Sequence, residues 1–93
     1  VCAFDSKGKN FRHEMYDLYK ANRPEMPIEL QNQLPHLWES LDALRIPIIK
    51  KKGFEADDII GTIVSEAEKY GLLSYIVSGD KDFMQLINDK VFL

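Results

Sequence analysis

Residues 55–70 constrain the fold more than any other stretch of the chain. Ile59, Ile60, Ile63, Val64 and Ala67 recur at helical spacing, which predicts a helix with one buried face. Short apolar runs flank it, 46–49 before and 72–77 after, and Gly71 stands where the helix should stop. Strand, helix, strand in this order is the unit from which parallel sheets are built. Gly61, inside the apolar stripe, predicts a close backbone approach by a neighbour.

The rest of the chain continues the alternation. Val1, Ala3 and Phe4 suit a short buried strand, and 6–10 reads as a polar turn. Phe11, Met15, Leu18 and Tyr19 predict a basic, aromatic-laced helix over 11–21 that Asn22-Arg23-Pro24 breaks. A second helix is expected from about Pro27, with Leu30, Leu34, Leu37, Trp38, Leu41 and Leu44 as its apolar stripe. Pro35 lies within that stripe and predicts a kink or two helical pieces. After 72–77 come a short helix through Ile87, a turn at Asn88-Asp89 and a last strand at 91–93. The fold class expected is α/β, a predominantly parallel sheet flanked by helices. The chain begins within one apolar run and stops within another, so 1–93 is read as an excerpt of a longer protein.

Composition narrows the function classes. Hydrophobic residues at 45% and charged residues at 29% are those of a folded domain rather than a disordered tail. No apolar run approaches the roughly 20 residues of a membrane-spanning helix, and no basic-then-apolar leader appears. A single cysteine, Cys2, excludes an internal disulfide or a cysteine-based zinc cluster, so a reducing cytoplasm is the expected compartment. Cys2 itself is expected to be buried and inert. The net charge of −3 is unevenly spread. Residues 6–24 hold five bases (Lys7, Lys9, Arg12, Lys20, Arg23) against Glu14 and Asp17, a local +3 that leaves −6 on the remainder.

Ligands of an open parallel sheet bind beyond the carboxyl ends of its strands. Asp5 closes the first strand, Glu55, Asp57 and Asp58 open the helix after the second, and Asp80 and Asp82 follow the third. Six carboxylates from three regions are thus expected on one sheet edge. Crowded carboxylates repel and take up protons unless a cation intervenes, and an oxygen-only set suits Mg²⁺ or Mn²⁺. Two such ions could activate a water and stabilise a leaving oxygen in phosphodiester hydrolysis. Each group also has an ordinary reading, as a helix-dipole partner, an N-cap or a turn residue. Spacing alone leaves both standing. In the basic segment, Phe11, Tyr16 and Tyr19 interleave with the cations, a mixture suited to stacking on bases and pairing with phosphates of a single strand. The alternative is a solvated face. Lys50-Lys51-Lys52 reads as a solvated loop rather than a phosphate clamp. His13 and His36 have no ligand partner at metal spacing, and Trp38 is expected in the core.

Four motifs then carry a resemblance that spans the whole chain. Phe4-Asp5-Ser6-Lys7-Gly8-Lys9-Asn10-Phe11-Arg12, Tyr19-Lys20-Ala21-Asn22-Arg23-Pro24, Gly53-Phe54-Glu55-Ala56-Asp57-Asp58-Ile59-Ile60-Gly61-Thr62 and Ser78-Gly79-Asp80-Lys81-Asp82-Phe83-Met84-Gln85-Leu86 resemble, in order and separation, the 5′-nuclease domain of bacterial DNA polymerase I. The resemblance implies a PIN-like 5′-nuclease core, of which 1–93 is the central part. It implies a metal-dependent 5′→3′ exonuclease and flap endonuclease, acting on DNA with a 5′ flap or 5′ end and on RNA primer–DNA duplexes in replication and repair. Asp5, Glu55, Asp57, Asp58, Asp80 and Asp82 match the family's metal-binding carboxylates. Phe11, Arg12, Tyr19, Lys20 and Arg23 fall in the segment matching its helical arch, 6–24. There Lys20 and Arg23 would engage the scissile phosphate and Tyr19 would stack on the unpaired terminal nucleotide. A bacterial cytoplasm, close to the nucleoid, is the implied location, with the rest of the polymerase chain as covalent partner. The family's first metal-binding strand and its duplex-gripping element match nothing in 1–93, so the piece alone is expected to cut weakly or not at all. The rivals are a stand-alone 5′-exonuclease, a related toxin-type RNase, a non-catalytic module for branched DNA, and a receiver-like domain phosphorylated on one aspartate.

Overall fold

The computed structural model describes residues 1–6 and 24–93. Its elements run β1 (Cys2–Ala3), α1 (Ile28–Ala43), β2 (Ile48–Ile49), α2 (Ala56–Lys69), β3 (Ser74–Tyr75), a 3₁₀ helix (Lys81–Leu86) and β4 (Val91–Phe92). The expected arch segment lies outside the described residues apart from Ser6 and Pro24.

Both strand pairings are parallel, as the alternating pattern requires. β1 pairs with β2 in the register Cys2↔Ile48 and Ala3↔Ile49, extended by bonds from Cys2 N–H to the Pro47 carbonyl (2.8 Å) and from Phe4 N–H to the Ile49 carbonyl (3.0 Å). β3 pairs with β4 as Ser74↔Val91 and Tyr75↔Phe92. Among the described residues the expected single sheet is instead two separate two-stranded ladders, and each strand is shorter than its apolar run. Apolar runs mark which residues can be extended. Ladder length depends on which backbone groups find a partner strand.

α2 is what relates the two ladders, since it packs against both β1 and β3. From its stripe Ile59 and Val64 are buried. Val64, Ile76, Phe83 and Val91 form the core cluster, with Ile60 and Leu86 packed against it and Val91 only 1% exposed. The Asn88-Asp89 turn closes through reciprocal backbone bonds between Asn88 and Val91, both 3.3 Å. Asn88 Nδ2 also donates to Glu68 on α2, at 2.9 Å. Gly61 departs from expectation. Among the described residues a Cβ built there meets nothing within 4 Å, so no described neighbour approaches it closely.

Of the kink or two pieces that Pro35 predicts, the two pieces do not occur: α1 is one helix through Pro35. Of its stripe only Leu41 is buried. Leu34 and Trp38 are half-buried and Leu30, Leu37 and Leu44 are exposed. Periodicity shows that a helix has an apolar face, not that something covers it. Trp38 packs against Phe4 with the two rings nearly perpendicular and their centroids 6.5 Å apart. Cys2 is half-buried, less enclosed than its strand position suggests.

The two helices end in the same way. After α1, Arg45 N–H donates to the Asp42 carbonyl (2.9 Å) and Ile46 N–H to that of Leu41 (2.9 Å). After α2, Gly71 N–H donates to Glu68 (3.0 Å) and Leu72 N–H to Ala67 (3.0 Å). Both are Schellman closures, which place one residue in the left-handed region. Gly71 takes that position at φ +71°, where glycine is unstrained, whereas Arg45 takes it at φ +57° with a Cβ. Arg45→Gly is therefore expected to stabilise the chain by up to about 1 kcal/mol, part of the strain relief being offset by the greater backbone freedom of unfolded glycine. A thermal melt compared with wild type checks this, and a lower midpoint for the variant would count against strain at Arg45.

Candidate metal and nucleic-acid site

The start of α2 gathers carboxylates because its first-turn N–H groups need acceptors. A helix leaves its leading amides without intrahelical partners and carries partial positive charge at that end. Glu55, the N-cap, and Asp58 satisfy two of them reciprocally in a capping box, with Glu55 N–H donating to Asp58 Oδ2 at 3.0 Å. The pattern Glu-x-x-Asp is a variant of the usual Ser/Thr-x-x-Glu box. Asp5 supplies a third acceptor from outside the helix: Ala56 N–H donates to Asp5 Oδ1 at 2.7 Å. The end of β1 is thereby fixed to the start of α2 across 51 residues of sequence. Ser6 Oγ adds a longer bond, 3.4 Å, to the Phe54 carbonyl.

Asp80 and Asp82 are organised by a local turn. Asp82 N–H donates to Asp80 Oδ1 (2.9 Å) and Asp80 N–H to Ser78 Oγ (3.1 Å), so Asp80 caps the 3₁₀ helix. Phe83, the next residue, is buried in the core and anchors this turn.

An open cleft of about 1000 Å³ lies along α2. Glu55, Asp57, Asp58 and Asp82 line it, with Lys51 at the same surface. Asp5 and Asp80 are not among its described lining residues: Asp5 bonds to Ala56 at the start of α2, and Asp80 to Asp82. Glu55 is 6% exposed, Asp58 is half-buried, and Asp5, Asp57, Asp80 and Asp82 are exposed. The donor chemistry fits a hard divalent cation, with carboxylate oxygens and no imidazole or thiolate among the described lining residues. Closure around one ion is a separate matter. Among the described residues no three of His, Cys, Asp or Glu are placed to hold a metal, and Asp5, Asp58 and Asp80 each commit one oxygen to a backbone N–H. A carboxylate has lone pairs on both oxygens, so a cap on one leaves the other able to coordinate.

Phe11, Arg12, Tyr19, Lys20 and Arg23 lie outside the described residues. His36 is exposed. Sequence reasoning missed the tie from Asp5 to α2. The capping box itself was readable, since Glu55 and Asp58 have the required spacing directly before the apolar stripe.

The model for the 5′-3′ exonuclease N-terminal, resolvase-like domain matches residues 1–93. The DNA polymerase I of Caldicellulosiruptor bescii is 46% identical over 89 residues, 96% of this chain and 10% of the relative. That of Bacillus subtilis is 46% identical over 90 residues, 97% of this chain and 10% of the relative. The thermostable DNA polymerase I of Thermus filiformis is 41% identical over 91 residues, 98% and 11% respectively. The chain therefore spans about a tenth of the length of these relatives. No described helix is long and apolar enough to cross a membrane.

The cap can be separated from any other role of Asp5 by substitution. Asp5→Ala should cost about 0.5–2 kcal/mol, the usual loss when a side-chain acceptor at a helix start is removed. Asp5→Asn keeps an oxygen that can accept the Ala56 N–H and should retain most of that stability while losing the charge. Urea unfolding of the two variants beside wild type measures the difference, and equal losses would show that the bond is not what Asp5 contributes.

Proposed function

The chain belongs to the 5′-3′ exonuclease N-terminal, resolvase-like family carried by bacterial DNA polymerase I, and from that premise we propose that it is the central part of a 5′→3′ exonuclease and flap endonuclease. The observation that carries this reading is the meeting of Asp5, Glu55, Asp57 and Asp58 at the start of α2, with Asp82 on the same cleft. Substrates are DNA with a 5′ flap or free 5′ end and RNA primer–DNA duplexes, cut during replication and repair in the bacterial cytoplasm near the nucleoid. The remainder of the polymerase is the covalent partner.

Asp5, Glu55, Asp57, Asp58, Asp80 and Asp82 would hold two or more Mg²⁺ or Mn²⁺ ions. Bound there, such ions lower the pKa of a coordinated water and offset charge on the departing 3′ oxygen. The products are a 5′-phosphate and a 3′-hydroxyl. The protein's own groups do the positioning. Asp5 and the capping box keep the carboxylates at one helix end. In the segment 6–24, Lys20 and Arg23 would balance the charge that builds on the phosphate. Tyr19 would stack on the terminal nucleotide, and Phe11 and Arg12 would extend that contact along the strand.

Two outcomes test this. In the parent protein, Asp57→Asn should lower flap cleavage by on the order of 10²-fold or more, the scale seen when an electrostatic partner of the transition state is lost. Its melting temperature should hardly move, since Asp57 is exposed. Normal cleavage by that variant would remove Asp57 from the ligand set. Second, the 93-residue piece should show weak or no cleavage of a flap substrate in Mg²⁺, and strong cleavage would show that 1–93 suffices. A parent that binds branched DNA without cutting it would identify a binding module instead.

A further inference from the structure

The three successive lysines between β2 and α2 are more ordered than a solvated charge run. Lys50 Nζ stands 4.0 Å from the centroid of the Trp38 ring on α1, and Lys51 Nζ 5.3 Å from that of Phe54. Both are cation–π distances. Phe54 N–H donates to the Lys51 carbonyl at 3.1 Å, closing a four-residue turn with Gly53 at φ +86°. Glycine at the third position with positive φ is what a type II turn requires. Lys52 then occupies the outer corner of that turn, and its side chain is exposed. The Ser6 hydroxyl, one residue beyond Asp5, donates to the carbonyl of Phe54 and ties the turn to the end of β1.

This places fixed positive charge at the rim of an acidic cleft. Lys51 lines the same surface as Glu55, Asp57, Asp58 and Asp82. Between described residues the ion pair present is Lys69 with Glu66, at the end of α2 far from the turn, so no described carboxylate consumes the charge of the turn. Carboxylates and a phosphate backbone carry charge of the same sign and repel each other. Ammonium groups presented just outside them, on a turn held by two rings and a backbone bond, counter that repulsion without competing for the cleft itself.

We infer that Lys51 and Lys52 contact the phosphate backbone of the DNA substrate at the rim of the acidic cleft, a contact that adds to those of segment 6–24 and rests on the nuclease reading above. Lys50, anchored over Trp38, fixes where the turn begins. The contact is with phosphates and carries no base preference, since nothing in the turn offers the planar, bidentate geometry of base readout.

The test uses the full-length parent and a 5′-flap DNA in EDTA, so that binding is measured without cutting. Anisotropy titrations across about 50–200 mM KCl give the slope of log K against log salt, which falls by about 0.7–0.9 for each phosphate contact removed. The double variant Lys51→Gln/Lys52→Gln should bind more weakly at the low-salt end, with a slope shallower by about 1.4–1.8. Lys69→Gln, away from the turn, should match wild type in both. Unchanged affinity and slope in the double variant, with an unchanged melting curve, would overturn the inference while leaving the nuclease reading intact. A wild-type parent that neither binds flap DNA nor cuts it when Mg²⁺ is supplied would overturn both.

Discussion

The bond from Ala56 N–H to Asp5 Oδ1 organises this molecule. A helix start needs acceptors, and here one comes from the end of a strand 51 residues earlier. Because the donor belongs to the backbone, the requirement holds whatever ligand the site takes. β1 is thereby set beside α2, and α2 in turn packs against β3, so one short contact relates both strand pairs to a common helix. Acids that elsewhere would repel are drawn to one place by the positive end of α2.

This explains how one set of residues can serve stability and chemistry together. Capping uses one oxygen of Asp5, Asp58 and Asp80, and coordination would use another. Caps also stiffen the carboxylates, and ligands held in place by hydrogen bonds lose less freedom when a cation arrives. The competition between ordinary cap and metal ligand, which spacing leaves open, is therefore not a choice between exclusives.

Much of this was legible from the chain, and the misses share a cause. α2 was readable because its stripe, its capping acids and Gly71 are all local signals. The parallel pairing followed from the alternation of elements. What failed depends on partners distant in sequence. Among the described residues the two ladders stay apart, Gly61 has no close neighbour, and Leu30, Leu37 and Leu44 are exposed, because no local pattern states which surfaces meet. The ring contacts of the lysine run were hidden for the same reason. One of the rings that orders it, Trp38, lies on another helix. The bonds of Asp5 and of Asn88 to α2 were likewise invisible, since each joins residues from separate elements.

Trp38 is the only tryptophan in the chain, and it sits between the edge of Phe4 from the β1 side and the ammonium of Lys50 at the exit of β2. Indole emission responds to nearby charge and to wetting of the ring. The protein thus carries a native optical probe at the junction of α1 with β2 and Phe4, and its colour reports whether that junction is docked or open without any attached label.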